Sequence, residues 1–153
     1  MAKRILAVDD NEDLLILLSD VLGDEGYDVV RCNRSREAYG LAKSARPDLV
    51  LLDVLMPGMN GWDVLNVFLL DREMRSVPIV LMTAAPSDAR KRLARVGAPD
   101  ITILDKPFTI DRLLERVDAA LGNPSECERL YGQLTGIMTP TPIGAPRSIG
   151  GEG

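Results

Sequence analysis

The sequence predicts a doubly wound α/β fold, in which a five-stranded parallel sheet is covered by helices on both faces. Two observations support this prediction. Apolar runs of strand length alternate with amphipathic segments of helix length from Lys3 to Leu121. The chain has 153 residues, of which 46% are hydrophobic, so it suffices for one domain with a full core and falls short of two ordinary domains.

Five short segments are the candidate strands. They are rich in Val, Ile and Leu, as is typical of strands that are buried on both faces of a parallel sheet. The segments are KRILAV, YDVVRC, DLVLLD, VPIVLM and ITIL, at 3–8, 27–32, 48–53, 77–82 and 101–104.

Amphipathic segments follow each candidate strand. The first predicted helix has Asn11 as its N-cap and ends near Gly26. The second spans 35–45 before Pro47, the third lies around 62–69, and the last two span 87–96 and 109–121. The predicted inward faces are Leu14, Leu17, Leu18 and Val21 in the first helix, Trp62, Leu65, Phe68 and Leu69 in the third, and Leu113, Leu114, Val117 and Leu121 in the fifth.

The composition changes after the fifth predicted helix. Gly, Pro, Ser and Thr become frequent, and little apolar area is available to offset the entropy of ordering the chain. We therefore predict one domain at 1–121 and a Gly/Pro-rich tail at 122–153, with a short helix near 125–134 as one alternative. The tail is either mobile or docks on a partner through Leu130, Tyr131, Leu134, Ile137 and Met138.

Composition excludes several classes of protein. No run reaches the roughly 20 apolar residues of a membrane span, and the N-terminus lacks the pattern of a signal peptide, so we expect a cytoplasmic protein without a membrane partner. Cys32 and Cys127 lack CxxC spacing, which argues against a zinc site or a disulfide framework. Histidine is absent, which excludes metal sites and catalytic triads that depend on histidine. The net charge of −5 argues against a nucleic-acid partner.

Polar side chains stand at the carboxyl ends of the predicted strands. Asp9 and Asp10 follow the first strand, Asp53 ends the third, and Thr83 and Lys106 follow the fourth and fifth. These ends meet at one edge of such a sheet, where ligands bind. Clustered acids repel one another unless a cation neutralises them, and carboxylates without imidazole or thiolate favour Mg²⁺ or Mn²⁺. With Lys106 as a fixed cation, the set suits phosphoryl transfer, and Asp53 can be the nucleophile.

Four motifs then resemble the receiver domain of bacterial two-component response regulators, in particular stand-alone regulators of the chemotaxis type. They are VDDNEDLL, LLDVLMPGMNGWD, LMTAA and DKPF, and the resemblance covers residues 3 to about 121. It implies a flavodoxin-like (βα)₅ fold with strand order 2-1-3-4-5. It also implies a signalling domain rather than an enzyme, with only its own phosphoryl transfer and slow autodephosphorylation.

The resemblance implies roles for the strand-end residues. Asp53 would accept a phosphoryl group from a histidine kinase or phosphotransfer protein. Asp10, Asp53 and the backbone carbonyl of Leu55 would ligate Mg²⁺, and Asp9 would act through water. Lys106 would pair with the phosphoryl group. The Lys106–Pro107 peptide bond is expected to be cis. Thr83 would move toward the phosphoryl group and change a surface that a downstream protein reads.

Three features depart from the family pattern. Ile103 occupies the position of the usual switch aromatic on the fifth strand, which favours an alternative function as a phosphorylation-independent adaptor or dimerisation module. The segment from Gly97 to Lys106 is longer than is common. Leu55 and Ala85 are apolar where the family places residues that position water, so we expect a long-lived phosphoryl group.

The fourth predicted helix is basic. Its cations are either a solvated face or a docking surface for an acidic partner, such as Asp100, Asp105 or Asp111 of another protomer. A homodimer through the fourth helix, fifth strand and fifth helix, or through the tail, is one expectation. The spacing pairs Asp88 with Arg92 at i,i+4 and sets Lys91 beside Arg95.

Enzymes that need a phosphate-binding GxxxxGK[ST] loop or a GxGxxG turn are excluded, because both motifs are absent.

Overall fold

The computed structural model describes residues 2–56, 60–98 and 101–122. Five parallel strands form one sheet in the order β2-β1-β3-β4-β5, which confirms the predicted doubly wound, flavodoxin-like topology. Each strand lies within one or two residues of its predicted position. The strands are β1 (Arg4–Val8), β2 (Asp28–Cys32), β3 (Leu49–Asp53), β4 (Ile79–Thr83) and β5 (Thr102–Asp105).

Five helices connect and follow the strands. Three of them begin at side-chain caps, because Asn11, Asn60 and Thr109 each accept a hydrogen bond from a backbone N–H in the first turn. A short 3₁₀ helix at Met74–Ser76, before β4, was not predicted. The α-helices are α1 (Glu12–Asp24), α2 (Ser35–Ala45), α3 (Gly61–Leu70), α4 (Pro86–Arg95) and α5 (Ile110–Ala120).

The predicted inward face of α1 was partly wrong. Leu17 is 45% exposed, whereas Leu15, Leu18 and Leu22 are buried against the sheet. All five residues from 14 to 18 in this helix are apolar, so LLILL offers two overlapping stripes at helical spacing. Packing against the sheet buries the stripe of Leu15, Leu18 and Leu22, which shares only Leu18 with the predicted face.

The core consists of two layers, one on each face of the sheet. Alternate residues of each strand point to opposite faces, so Leu6 and Val8 belong to one layer while Ile5 and Ala7 belong to the other. Helices α2, α3 and α4 cover the first face, and α1 and α5 cover the second. All five residues of β3 and β4 are buried, so both central strands carry their last polar side chains, Asp53 and Thr83, into a largely enclosed position.

The parallel register aligns the strand ends at one edge. Val8 lies beside Leu52 and Thr83 lies beside Asp105, so the residues that follow β1 and β5 flank those that end β3 and β4. Within the described residues, no helix has both the length and the hydrophobicity that crossing a bilayer requires. The predicted tail lies outside the described residues except for Gly122.

Candidate functional site

Three carboxylates meet at the carboxyl edge of the sheet. Asp9, Asp10 and Asp53 each place an oxygen within 4.8 Å of the others. Asp9 is 1% exposed and Asp53 is 4% exposed, while Asp10 is open to solvent. Two buried acids therefore lie beneath one exposed acid, and a hydrated cation can reach the cluster from the Asp10 side.

Lys106 connects two of these acids. Its Nζ lies 2.9 Å from Asp9 Oδ2 and 3.3 Å from Asp53 Oδ1. The backbone N–H of Lys106 donates to the carbonyl oxygen of Thr83 at 2.7 Å, which continues the β4–β5 ladder and places the side chain over the acids. The Lys106–Pro107 peptide bond is cis, as predicted.

Neighbouring side chains and backbone groups hold the site residues in place. Asp9 Oδ1 accepts a hydrogen bond from the backbone N–H of Asn11 at 2.9 Å. Asp53 Oδ1 accepts a long one from the N–H of Leu55 at 3.4 Å. Thr83, which is 4% exposed, accepts from the N–H of Ala85 at 2.9 Å. Both carboxylate oxygens of Asp9 thus have partners, whereas Asp53 keeps one oxygen free of hydrogen bonds from the described residues.

The charges at the site do not balance. Burial, followed by the charge of Asp9, raises the pKa of Asp53, and Lys106 only partly opposes this. Burial by itself lowers the pKa of Lys106, but its hydrogen bond and charge interaction with Asp9, together with the charge of Asp53, raise that pKa overall. Three carboxylates face one ammonium group, and the oxygen-only donor set fits a hard divalent cation such as Mg²⁺.

Gly61 is a site residue whose importance has no signal in hydropathy or spacing. A Cβ atom at this position would lie 2.1 Å from the carbonyl oxygen of Asp53 and 2.5 Å from Cα of Val54. The backbone N–H of Gly61 donates to the carbonyl oxygen of Val54 at 3.1 Å. The start of α3 therefore packs directly on the main chain of Asp53, and only glycine leaves room for this contact.

Ile103, at the position where the resemblance implies a switch aromatic, is a buried aliphatic residue. It is 8% exposed and lies beside Leu81 in the sheet. Its carbonyl oxygen accepts a hydrogen bond from Nε of Arg116 on α5 at 3.0 Å. The segment predicted to be long before β5 includes Pro99 and Asp100, which lie outside the described residues.

The predicted pairing of Asp88 with Arg92 was wrong. Among the described residues Arg92 forms no ion pair, and its guanidinium instead lies 4.6 Å from the ring centroid of Trp62. The indole ring of Trp62 on α3 attracts the guanidinium of Arg92 on α4. The free energy of an exposed i,i+4 ion pair is too small to outweigh this cation–π contact.

The fold and site match a known family. A model described as "Response regulator receiver domain" matches residues 5–118. The chain belongs to the response regulator receiver family. The polar-differentiation response regulator DivK of Brucella anthropi is 32% identical over 123 residues, which cover 80% of this chain and 99% of that receiver protein.

Solved structures of other receiver proteins are similar in fold. The chemotaxis protein CheY4 of Vibrio cholerae superposes with a TM-score of 0.72 at 31% identity, covering 78% of this chain and 99% of CheY4. A putative response regulator from Chloroflexus aurantiacus gives a TM-score of 0.71 at 30% identity, covering 79% and 98% of the two chains. In both cases the similarity extends over the receiver fold and leaves about one fifth of this chain unmatched.

Proposed function

We propose that this receiver domain is a phosphoaccepting switch, in which Asp53 takes a phosphoryl group from a partner histidine kinase or phosphotransfer protein. The observation that carries this proposal is the convergence of Asp9, Asp10 and Asp53 within 4.8 Å, with the ammonium group of Lys106 in contact with two of them. Phosphoryl transfer is catalysed mainly by positioning and charge neutralisation, which this arrangement supplies.

In the transfer step, a carboxylate oxygen of Asp53 attacks the phosphorus of a phosphohistidine on the partner. The new O–P bond forms as the P–N bond breaks, and the electron pair of that bond returns to the imidazole. The product on this chain is an acyl phosphate. One oxygen of Asp53 accepts no hydrogen bond from the described residues, and the neighbouring Asp10 is exposed, which leaves the site open on that side.

The residues that would hold Mg²⁺ or Mn²⁺ are Asp10, Asp53 and the backbone carbonyl of Leu55. Asp9 would act through water, since both of its oxygens already accept hydrogen bonds, from Asn11 and Lys106. A bound divalent ion would neutralise charge on the phosphoryl oxygens and on the acids.

Lys106 and Thr83 would bind the phosphoryl oxygens. The ammonium of Lys106 is 3.3 Å from Asp53, so a phosphoryl group on that carboxylate comes within its reach. The hydroxyl of Thr83 accepts from the N–H of Ala85 and keeps its own proton available for donation. If Thr83 turns toward the phosphoryl group, the start of α4 follows, and the surface read by a downstream protein changes.

Mass spectrometry of the intact protein tests the proposal. After incubation with Mg²⁺ and acetyl phosphate, the wild type should gain the mass of one phosphoryl group, and Asp53→Asn should not. Asp13→Asn is a matched control, because this acid lies exposed on α1 away from the three clustered acids. No gain by the wild type, or an equal gain by Asp53→Asn, would overturn the assignment.

A second candidate function is a phosphorylation-independent adaptor or dimerisation module. Ile103 favours it, because no aromatic side chain on β5 is present to follow a movement of Thr83. The same mass measurement separates the two functions, since the adaptor has no need to accept a phosphoryl group.

The division of the chain and its mode of assembly are part of the proposal. We place the receiver domain at 1–121 and a tail at 122–153. A homodimer would form through α4, β5 and α5 or through the tail. Sedimentation of the full chain and of a 1–121 variant, with and without acetyl phosphate, tests both statements.

A further inference from the structure

A groove of about 440 Å³ runs between the start of α3 and the exposed side of α4. Leu55, Trp62 and Ala85 line it with apolar surface, and Arg92 and Arg95 line it with positive charge. The groove adjoins the site of Asp53 at Leu55 and Thr83, which both line it, but it contains none of the three clustered acids.

The charge of α4 is opposite to that of the whole chain. Its ten residues carry four cations and one acid, whereas the chain has 18 basic and 23 acidic residues. All four cations are exposed, and none forms an ion pair with another described residue. The cations are Arg90, Lys91, Arg92 and Arg95.

The apolar part of the groove is also exposed. Leu55 is 72% exposed, and Trp62 is only half-buried, with the guanidinium of Arg92 held 4.6 Å from its ring centroid. This contact fixes a planar cation beside an aromatic surface, where a carboxylate can pair with the guanidinium while an apolar side chain contacts Leu55.

We propose that this groove binds an acidic segment of a partner protein, which sets an apolar side chain against Leu55 and Trp62 and its carboxylates on Arg92 and Arg95. Charge complementarity selects this occupant. A nucleic acid suits the groove less well, because Asp88 lines it, the apolar floor offers nothing to phosphates and the net charge of the chain is −5. Binding here goes beyond the proposed phosphoacceptor function and does not require a modified Asp53.

Titration of the full chain with a synthetic peptide tests the proposal. The probe is a twelve-residue peptide of glutamates around two central leucines, and its control replaces each Glu by Gln. Trp62 is the only tryptophan, so its emission reports contact at the groove. We expect a saturable change with the Glu peptide and binding at least about tenfold weaker with the Gln peptide.

Calorimetry with variants locates the site without relying on the fluorescence of Trp62. Arg95→Gln and Arg92→Gln should each weaken binding of the Glu peptide severalfold. Arg112→Gln, a change at another exposed arginine on α5, should leave binding unchanged. Equal binding of the two peptides, or no effect of the α4 variants, would overturn the proposal. So would tighter binding of a single-stranded oligonucleotide.

Discussion

The ammonium group of Lys106 lies closer to Asp9, at 2.9 Å, than to any other carboxylate among the described residues. Asp9 is almost completely buried, and its other oxygen accepts a backbone hydrogen bond from Asn11. Lys106 therefore neutralises a buried charge in addition to facing Asp53, and it contributes to the stability of the site.

Replacement of Lys106 should destabilise the fold. Lys106→Met leaves the carboxylate of Asp9 buried without its cation, and because the lysine side chain is about one quarter exposed, we expect a loss of about 2 kcal/mol rather than the larger cost of a fully buried pair. Urea unfolding at pH 7 measures this loss. Lys3→Met, at an exposed lysine, is the control, and an equal effect of both changes would contradict the argument.

Gly61→Ala should damage both the fold and the phosphoacceptor. The new methyl group would meet the main chain of Asp53 and Val54 at less than 3 Å, so α3 or β3 must shift, at a cost of about 2–3 kcal/mol. Gly40→Ala in α2 is the matched control, because nothing lies within 4 Å of a Cβ there, and it should stabilise the protein by about 0.5–1 kcal/mol. Urea unfolding of both variants checks this, and similar effects would contradict the role of Gly61.

Removal of the charge of Asp53 should stabilise the metal-free protein at neutral pH. The raised pKa means that the native state holds a proton to higher pH than the unfolded chain, whose carboxyl titrates near 3.8. Stability is therefore lost as the pH rises from 3.8 through the native pKa. Asp53→Asn avoids this loss.

Thermal unfolding with a chelator present tests this prediction. Asp53→Asn should have the higher midpoint at pH 7, and the difference should shrink as the pH falls toward 4. Mg²⁺ should raise the midpoint of the wild type more than that of the variant. A variant that is less stable than the wild type at pH 7 would show that the contact with Lys106 outweighs burial and the charge of Asp9.

Leu55→Asn should shorten the lifetime of the phosphoryl group. Leu55 is 72% exposed beside Asp53, and its apolar side chain cannot orient an attacking water, whereas an amide can. Loss of the phosphoryl group, followed by intact mass after removal of acetyl phosphate, should become severalfold faster. Leu70→Asn, an exposed leucine at the end of α3, is the control, and an unchanged rate for Leu55→Asn would exclude this explanation.

Most of the fold could be predicted from the sequence because each strand is a short, largely apolar run that ends at a polar residue or directly before one. The boundaries of α2 were predicted without error, since Pro47 stops the helix. Asp9, Asp53 and Lys106 could be placed together because parallel strands align their carboxyl ends, and the structure brings them into contact.

The remaining features depend on contacts between elements that are distant in sequence. The inward face of α1 was misjudged because LLILL contains two stripes of equal hydrophobicity, and only the sheet selects between them. The partner of Arg92 was misjudged because Trp62 lies on another helix. The physical need for glycine at position 61 arises from the path of the Asp53 backbone, which hydropathy and spacing do not reveal, although the motif LLDVLMPGMNGWD includes this glycine.

The contact between Lys106 and Asp9 joins residues that are 97 positions apart and that follow the inner strand β1 and the edge strand β5. During synthesis, Asp9, Asp10 and Asp53 leave the ribosome well before Lys106. The acids therefore lack their cation until β5 has been made and has joined the sheet. The proposed ability to accept a phosphoryl group would therefore require the completed domain, and products truncated before β5 would not be phosphorylated.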